Sequence, residues 1–226
     1  MDFTIRLRLA GIPGGKILSG DLALRNARSL LVGTSNEGKL REVHQLLNDL
    51  PFALLDLSDV SGIESVPETG QTFVENASLK AIGYATQTRL LTLADDSGLE
   101  VDALGGAPGV FSARYLDESA SFPERIAYLL AELEKVEAEK RTARFVSAIA
   151  IADAEGSILN ISLGTCEGHI AFAPRGSRGF GYDPVFIPAG YDLTFGELDS
   201  RIKNQISHRA RSLQSARDYL LNLTRL

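Results

Sequence analysis

The stretch Leu91–Tyr115, LTLADDSGLEVDALGGAPGVFSARY, decides how the chain is read. Its opening apolar run, Leu91, Leu93 and Ala94, predicts a buried strand. Two adjacent carboxylates, Asp95 and Asp96, end that run, and Ser97 and Gly98 follow. A loop of small residues comes next, Gly105, Gly106, Ala107, Pro108 and Gly109. An open α/β sheet places its chemistry at strand ends, so a strand that ends in acids and then glycines marks a candidate site. Paired carboxylates bind hard cations such as Mg²⁺ through oxygen, and one of them can orient or deprotonate a water. Asp-Asp-Ser-Gly can equally cap a turn, so the choice rests on the rest of the chain.

Upstream of this stretch, Leu30 to Gly33 predicts a short strand. Thr34-Ser35-Asn36-Glu37-Gly38-Lys39 then turns into a helix whose Leu40, Val43, Leu46, Leu47 and Leu50 repeat at helical spacing. Phe52 to Leu57 reads as a second strand. After a polar loop holding Glu64, Pro67, Glu68 and Gly70, a helix is expected from about Thr72 to Thr86, with Phe73, Ala77, Ile82 and Ala85 inward. Thr72 and Glu75 are spaced as a capping box. Downstream, Pro123 starts a third helix with the stripe Ile126, Leu129, Leu130, Leu133 and Val136. Arg144 to Ala152 and Ser157 to Cys166 form a hairpin about the turn Asp153-Ala154-Glu155-Gly156. A last helix begins near Ser207, with Leu213, Arg217, Leu220 and Leu223 on one side. Alternating strands and helices followed by a hairpin predict an α/β fold, a mixed central sheet flanked by helices.

Residues 1–28 do not fit this pattern. Gly11, Pro13, Gly14, Gly15 and Gly20 break any period, and Arg6, Arg8 and Lys16 come without the apolar core of a signal peptide. The segment reads as an N-terminal extension, either disordered or a product of start-site choice, with a hairpin over Phe3–Leu9 as the alternative. Residues 29–226 form the domain proper. Hydrophobic residues make up 44% and charged residues 23%, ordinary for a globular chain. A net charge of −6 argues against general affinity for nucleic acid, though not against a small anion in a local basic pocket. No apolar run reaches membrane-span length, so no membrane partner is expected. The single Cys166 excludes an internal disulfide and points to a cytoplasmic location; it reads as a small buried hydrophobe.

Three further segments carry chemistry. Thr34–Lys39, between a strand and a helix, offers backbone N–H groups, the helix dipole and the Lys39 charge, which suits a polyphosphate. Ala173–Phe186, APRGSRGFGYDPVF, combines glycines that allow close backbone approach with Phe180 and Tyr182, which can stack on a flat ligand. Lys203, His208 and Arg209 gather cations at the start of the last helix, where the dipole disfavours them unless something anionic or carbonyl-rich sits there. A phosphate turn, an acid pair, a stacking loop and a basic clamp make an inventory for metal-assisted attack on a nucleotide polyphosphate.

These segments, in this order, resemble the inosine/xanthosine triphosphate pyrophosphatase family. Thr34–Glu42 is similar to its TGNxGKxxE turn, and Thr72–Ala77 with Lys80-Ala81 to its TFxENAxxKA helix. Ala94–Asp102, Leu104–Gly109 and Ser112–Tyr115 are similar to its most specific block, and Gly179–Phe186 and Ser207-His208-Arg209 complete the set. The resemblance implies two lobes with the nucleotide cleft between them. It implies hydrolysis of the non-standard purine nucleotides ITP, dITP and XTP to monophosphate and pyrophosphate, with Mg²⁺, in a homodimer. On the matching positions, Asp96 is the proton acceptor and a metal-linked carboxylate, with Asp95 beside it. Thr34, Ser35, Asn36, Glu37, Gly38 and Lys39 hold phosphates and sugar. Ser97, Phe180, Gly181, Tyr182, Asp183, Lys203, His208 and Arg209 contact the nucleotide. A donor to the purine C6 keto oxygen would reject adenine, and Arg209 or His208 with backbone N–H groups of the Phe180 loop are the candidates to supply it.

The chain departs from the pattern in two places. Ser35 stands where glycine is commoner. Pro67-Glu68 stands where many relatives have two acids, which leaves Glu68 as the third metal candidate beside Asp95 and Asp96, or else those two with water, with Glu64 a more distant choice. Two other readings stay open: a Maf-like pyrophosphatase with another base preference, and a purine-nucleotide sensor without catalysis.

Overall fold

Segments rich in β-branched and leucine side chains become the strands of one sheet, because each can bury a face against a helix. The computed structural model describes residues 28–225. The extension expected over residues 1–28 therefore lies, Arg28 apart, outside the described residues. The sheet has six strands in the order β2-β1-β3-β4-β5-β6. β1 (Arg28–Val32) runs parallel to β2 (Phe52–Asp56) and to β3 (Leu91–Val101). β4 (Thr142–Ala152), β5 (Ile158–Ile170) and the short β6 (Phe186–Pro188) follow as antiparallel neighbours. Helices α1 (Glu37–Leu47), α2 (Phe73–Thr88), α3 (Phe122–Glu132), α4 (Ser200–Ile206) and α5 (His208–Leu223) flank it. The fold is thus the mixed α/β sheet expected. Among the described residues, no helix is long and apolar enough to cross a membrane.

β3 corrects one expectation. It does not stop at the acids but continues through Asp95-Asp96-Ser97-Gly98 to Val101, paired with β4 along its length. The reason is a second apolar cluster. Leu93 packs with Leu30, Ile149, Ile151, Leu213 and Leu220 at one end of the strand. Leu99 and Val101 pack with Phe145, Cys166, Ile126, Leu129 and Phe186 at the other. The polar tetrad lies between two cores that share the long strands, and those cores are the two lobes. The chain passes between them more than once.

The helices are placed by small residues. Ala77, Ala81 and Ala85 of α2 pack on Ala94, Ala148, Ala150 and Ala152 of the sheet, so α2 lies close to it. Ile82, expected inward, is exposed instead. On the other face, a Cβ on Gly164 of β5 would strike the His208 carbonyl and the backbone of Ser212, so glycine lets the first turn of α5 press onto the strand. Leu213, Ala216 and Leu220 bury that helix. Arg217 is not part of the stripe, and it pairs with Asp49 on the surface. α4 was not foreseen; seven residues with few apolar positions leave no periodic signal. α3 ends at Glu132, with Leu133 as its cap. Thr72 caps α2 through the Glu75 N–H, but the Glu75 carboxylate returns to Gln71 and not to Thr72, so the capping box closes one residue early.

Candidate active site

Successive side chains of a strand point to opposite faces of the sheet. This separates the two acids. Asp95 turns to the α5 face, where Oδ1 accepts from Lys39 Nζ at 2.6 Å and Oδ2 accepts from Ser147 Oγ at 2.8 Å and Arg209 Nε at 3.3 Å. Ser147 Oγ in turn meets Ser212 Oγ at 2.8 Å, a buried hydroxyl chain joining β3, β4 and α5. Burial alone would raise the Asp95 carboxyl, but Arg209 and Lys39 beside it hold it well below the usual carboxylate range. Asp95 is a fixed anion.

Asp96 turns to the α2 face. Its Oδ1 accepts the Ser97 N–H at 2.9 Å, and the ammonium of Lys80 stands 3.9 Å away. Its Oδ2 is buried without a hydrogen-bond partner. Burial raises the Asp96 carboxyl, against the opposing pull of Lys80 and then Lys39. Adjacent carboxylates in environments of opposite sign divide the roles of anchor and base. Lys80 also pairs with Glu68 at 2.5 Å, and Arg114 lies 4.0 Å from the same carboxylate. The loop that carries Glu68 is tied to the start of α2, Gly70 N–H to Asn76 and Gln71 N–H to Glu75.

The phosphate turn takes the expected form. Asn36 caps α1 by accepting the Lys39 N–H at 3.0 Å, and Thr34 Oγ1 accepts the Asn36 N–H at 3.2 Å. The N-terminus of α1 therefore faces the cleft with Lys39 beside it. Ser35 is exposed and outside the left-handed region, so it replaces glycine without strain. Glu37 points to solvent, loosely paired with Arg41, and does not line the cleft.

The remaining cations are paired by acids. Lys203 pairs with Asp183 at 2.5 Å and with Glu42 at 2.9 Å. Arg209 spends Nε on Asp95, one terminal nitrogen on Glu42 and the other on Ser97 Oγ at 2.6 Å. His208 lies parallel to the Phe145 ring at 4.7 Å, and its Nδ1 is buried without a partner. Burial, with Arg209 and Lys203 nearby, pushes its imidazole well below its ordinary value, so it is neutral at neutral pH. Asp183 also accepts the Phe180 N–H at 2.8 Å, which fixes the glycine-rich loop. Tyr182 is committed to the core, its ring edge on Phe122 and its hydroxyl on the Ser112 carbonyl at 3.0 Å. Phe180 is the half-buried ring of that loop that lines the cleft.

These groups surround one cavity of about 270 Å³. Thr34, Ser35, Asn36, Lys39, Glu68, Asp96, Ser97, Phe180 to Asp183, Lys203, His208 and Arg209 line it; Asp95 lies behind the wall. Glu37 and Gly38 do not line it. Lys80 and Glu42 also belong to the site, although sequence reasoning alone does not single them out. Both sit in the quoted motifs, and a lysine or glutamate on the inward side of an otherwise apolar helix was the available signal. Ser147 and Ser212 gave no signal at all.

The sequence model of the Ham1 family matches residues 30–219. The chain belongs to the Ham1 family. Among the relatives of this Ham1 chain, the dITP/XTP pyrophosphatase of Geobacter sulfurreducens is 49% identical over 191 residues, which cover 84% of this chain and 96% of the relative. That of Bacillus licheniformis is 46% identical over 187 residues, covering 83% and 95%. A solved Ham1 protein from Coxiella burnetii superposes with a TM-score of 0.79 at 42% identity, covering 86% of this chain and 99% of its own. The resemblance read from the ordered motifs is borne out, and the Ham1 chain is an enzyme of the nucleoside triphosphate pyrophosphatase class.

Proposed function

We propose that this chain hydrolyses ITP, dITP and XTP to the nucleoside monophosphate and pyrophosphate, and so clears non-standard purines from the nucleotide pool. The observation that carries the reading is the split of Asp95 and Asp96, an anchored anion beside a carboxylate with one oxygen unpartnered, in a cleft lined by cations. Residues 29–226 make the catalytic unit, and residues 1–28 extend it.

Among the described residues no cluster of three His, Cys, Asp or Glu side chains forms a closed metal site. Two oxygen donors fit a divalent cation nonetheless. The Asp96 Oδ2 is unpartnered, and Glu68 faces the same Lys80 ammonium, with the more distant Arg114 besides. Mg²⁺ takes one or two carboxylates and completes its shell with phosphate oxygens and water. Asp96 and Glu68 would hold it, with Asp95 committed to Lys39 and Arg209. When bound it supplies neutralising charge to the triphosphate.

The chain's own groups do the rest. Lys39 and the N-terminus of α1 hold the phosphates. Asp96 accepts the proton of the attacking water as its oxygen bonds to the α-phosphorus. The bridging bond between the α- and β-phosphoryl groups breaks, and pyrophosphate leaves with the electron pair. Phe180 stacks on the base. His208, neutral and with an unpartnered ring nitrogen, donates to the C6 keto oxygen, and Arg209 holds Ser97 and Asp95 in place. Adenine, with an amino group at C6, leaves that donor unpaired, which is a strong basis for rejection.

The test is pyrophosphate release from ITP, XTP, dITP, GTP and ATP, with Mg²⁺ and with EDTA. Metal-dependent release from the first three and near-silence from the last two is expected. Binding of ITP without release would favour a sensor, and release from pyrimidine nucleotides a Maf-like preference. The working unit is a homodimer, which sedimentation at assay concentration checks.

A further inference from the structure

The first turn of α1 contains a glycine, Gly38, at its second position. Glycine costs a helix stability relative to alanine. Its backbone is not left-handed, so the conformation does not require it. A ring requires it. A Cβ on Gly38 would lie 2.6 Å from Cδ1, 2.8 Å from Cγ and 2.9 Å from Cε1 of Phe180. The ring cannot easily yield. Its backbone N–H is held by Asp183, and Lys203, itself paired with Asp183, stands 4.6 Å over its centroid. The Arg209 guanidinium lies 5.5 Å from the same centroid. Seated there, Phe180 lies between the main cleft and a second cavity of about 170 Å³ walled by Gly38, Arg41 and Lys203.

We propose that Gly38 is a positioning residue that acts through Phe180, by giving the base-stacking ring a flush seat on the helix turn that holds the phosphates. The inference rests on the reading of Phe180 as the base platform. Lys39 is the next residue of the same turn, so one helix sets the distance from phosphate to base. A nucleotide is then gauged along its length, and a side chain at Gly38 spoils the gauge without touching the ligand.

The experiment is a cycle of the parent, Gly38→Ala, Phe180→Ala and the double variant, with kcat and KM for ITP and the melting temperature of each. Phe180→Ala should raise KM about tenfold, the loss expected of one base–aromatic stack. Gly38→Ala should raise KM comparably and change kcat less; the clash with the ring offsets the helix preference of alanine, so its melting temperature, read alongside, should move by only a few degrees. The double variant should be no worse than Phe180→Ala alone, because a residue acting through the ring has nothing to act on once the ring is gone. Multiplying effects, or an unchanged KM in Gly38→Ala, would overturn the proposal and leave the stacking reading intact. An unchanged KM in Phe180→Ala would overturn both. A second measurement needs no turnover. The chain has no tryptophan, so Phe180→Trp places a sole indole on the seat. Adding Gly38→Ala should shift its emission to the red, and an unmoved spectrum would refute the seat.

Discussion

The same isosteric change at two neighbouring positions should have opposite effects. Asp95→Asn removes the charge that Lys39 and Arg209 face at 2.6 and 3.3 Å, in a group only 1% exposed. Removing one partner of a buried pair costs roughly 3–5 kcal/mol. Arg209 keeps Glu42, so the low end applies, about 3 kcal/mol. At roughly 2–4 °C per kcal/mol for a chain of this size, the melting temperature should fall by about 6–12 °C. Asp96→Asn differs. Its Oδ1 still accepts the Ser97 N–H, and the buried charge on Oδ2, which has no partner, disappears. Its melting temperature should stay within about 2 °C of the parent or rise, since burial of that carboxylate outweighs the pull of Lys80 and opposes folding of the charged form. Turnover of ITP should drop by about 100-fold or more, the contribution of a general base. Thermal denaturation by circular dichroism and a coupled pyrophosphate assay read the two quantities. If Asp96→Asn loses as much stability as Asp95→Asn, or turns over near normally at saturating Mg²⁺, the division of labour is refuted.

Glu68→Gln should raise the Mg²⁺ concentration for half-maximal pyrophosphate release about tenfold; an unmoved titration would remove Glu68 from the metal set. Glu42 is raised by burial but more strongly lowered by Arg209 and Lys203, so its folded pKa lies below its unfolded one. Its stabilisation is present above about pH 4.3 and lost as pH falls below that. Glu42→Gln should therefore flatten the fall of melting temperature between about pH 5 and 3, and parallel curves for variant and parent would contradict it. Burial pushes the Cys166 thiol up to about 11 and leaves it 3% exposed. Iodoacetamide should leave the native chain unmodified near pH 8 and alkylate it in urea, as mass spectrometry would show; rapid native labelling would contradict its burial.

The fold was legible where period and punctuation were strong. α1, α2 and the β4–β5 hairpin follow from helical spacing, the Thr72 cap and the Asp153–Gly156 turn. β3 was cut short because acids in mid-strand look like an end. They are tolerated there only because Lys39, Arg209 and Lys80 arrive from three separate helices. Residue types alone pointed to the acid pair, the phosphate turn and the stacking loop. What they could not give was pairing. Of the three groups read as a basic clamp for the ligand, Lys203 and Arg209 turn out to be countered by Glu42, Asp95 and Asp183, which lie apart from them in sequence, and His208 is neutral. The hydroxyls of Ser147 and Ser212 became part of the site only through strand register and the press of α5 on Gly164.

The alanine seam between α2 and the sheet makes the chemistry hostage to residues that have none. Ala77, Ala81 and Ala85 leave no slack, so a methyl added at any of them must move the helix. The helix carries Lys80 directly and Glu68 through the bonds of Asn76 and Glu75 to the loop. A variant that swaps one of these alanines for valine would still fold and still present every reacting group. It would present the ammonium and its two carboxylates out of step, and the defect would surface as poor metal use far from any altered polar atom.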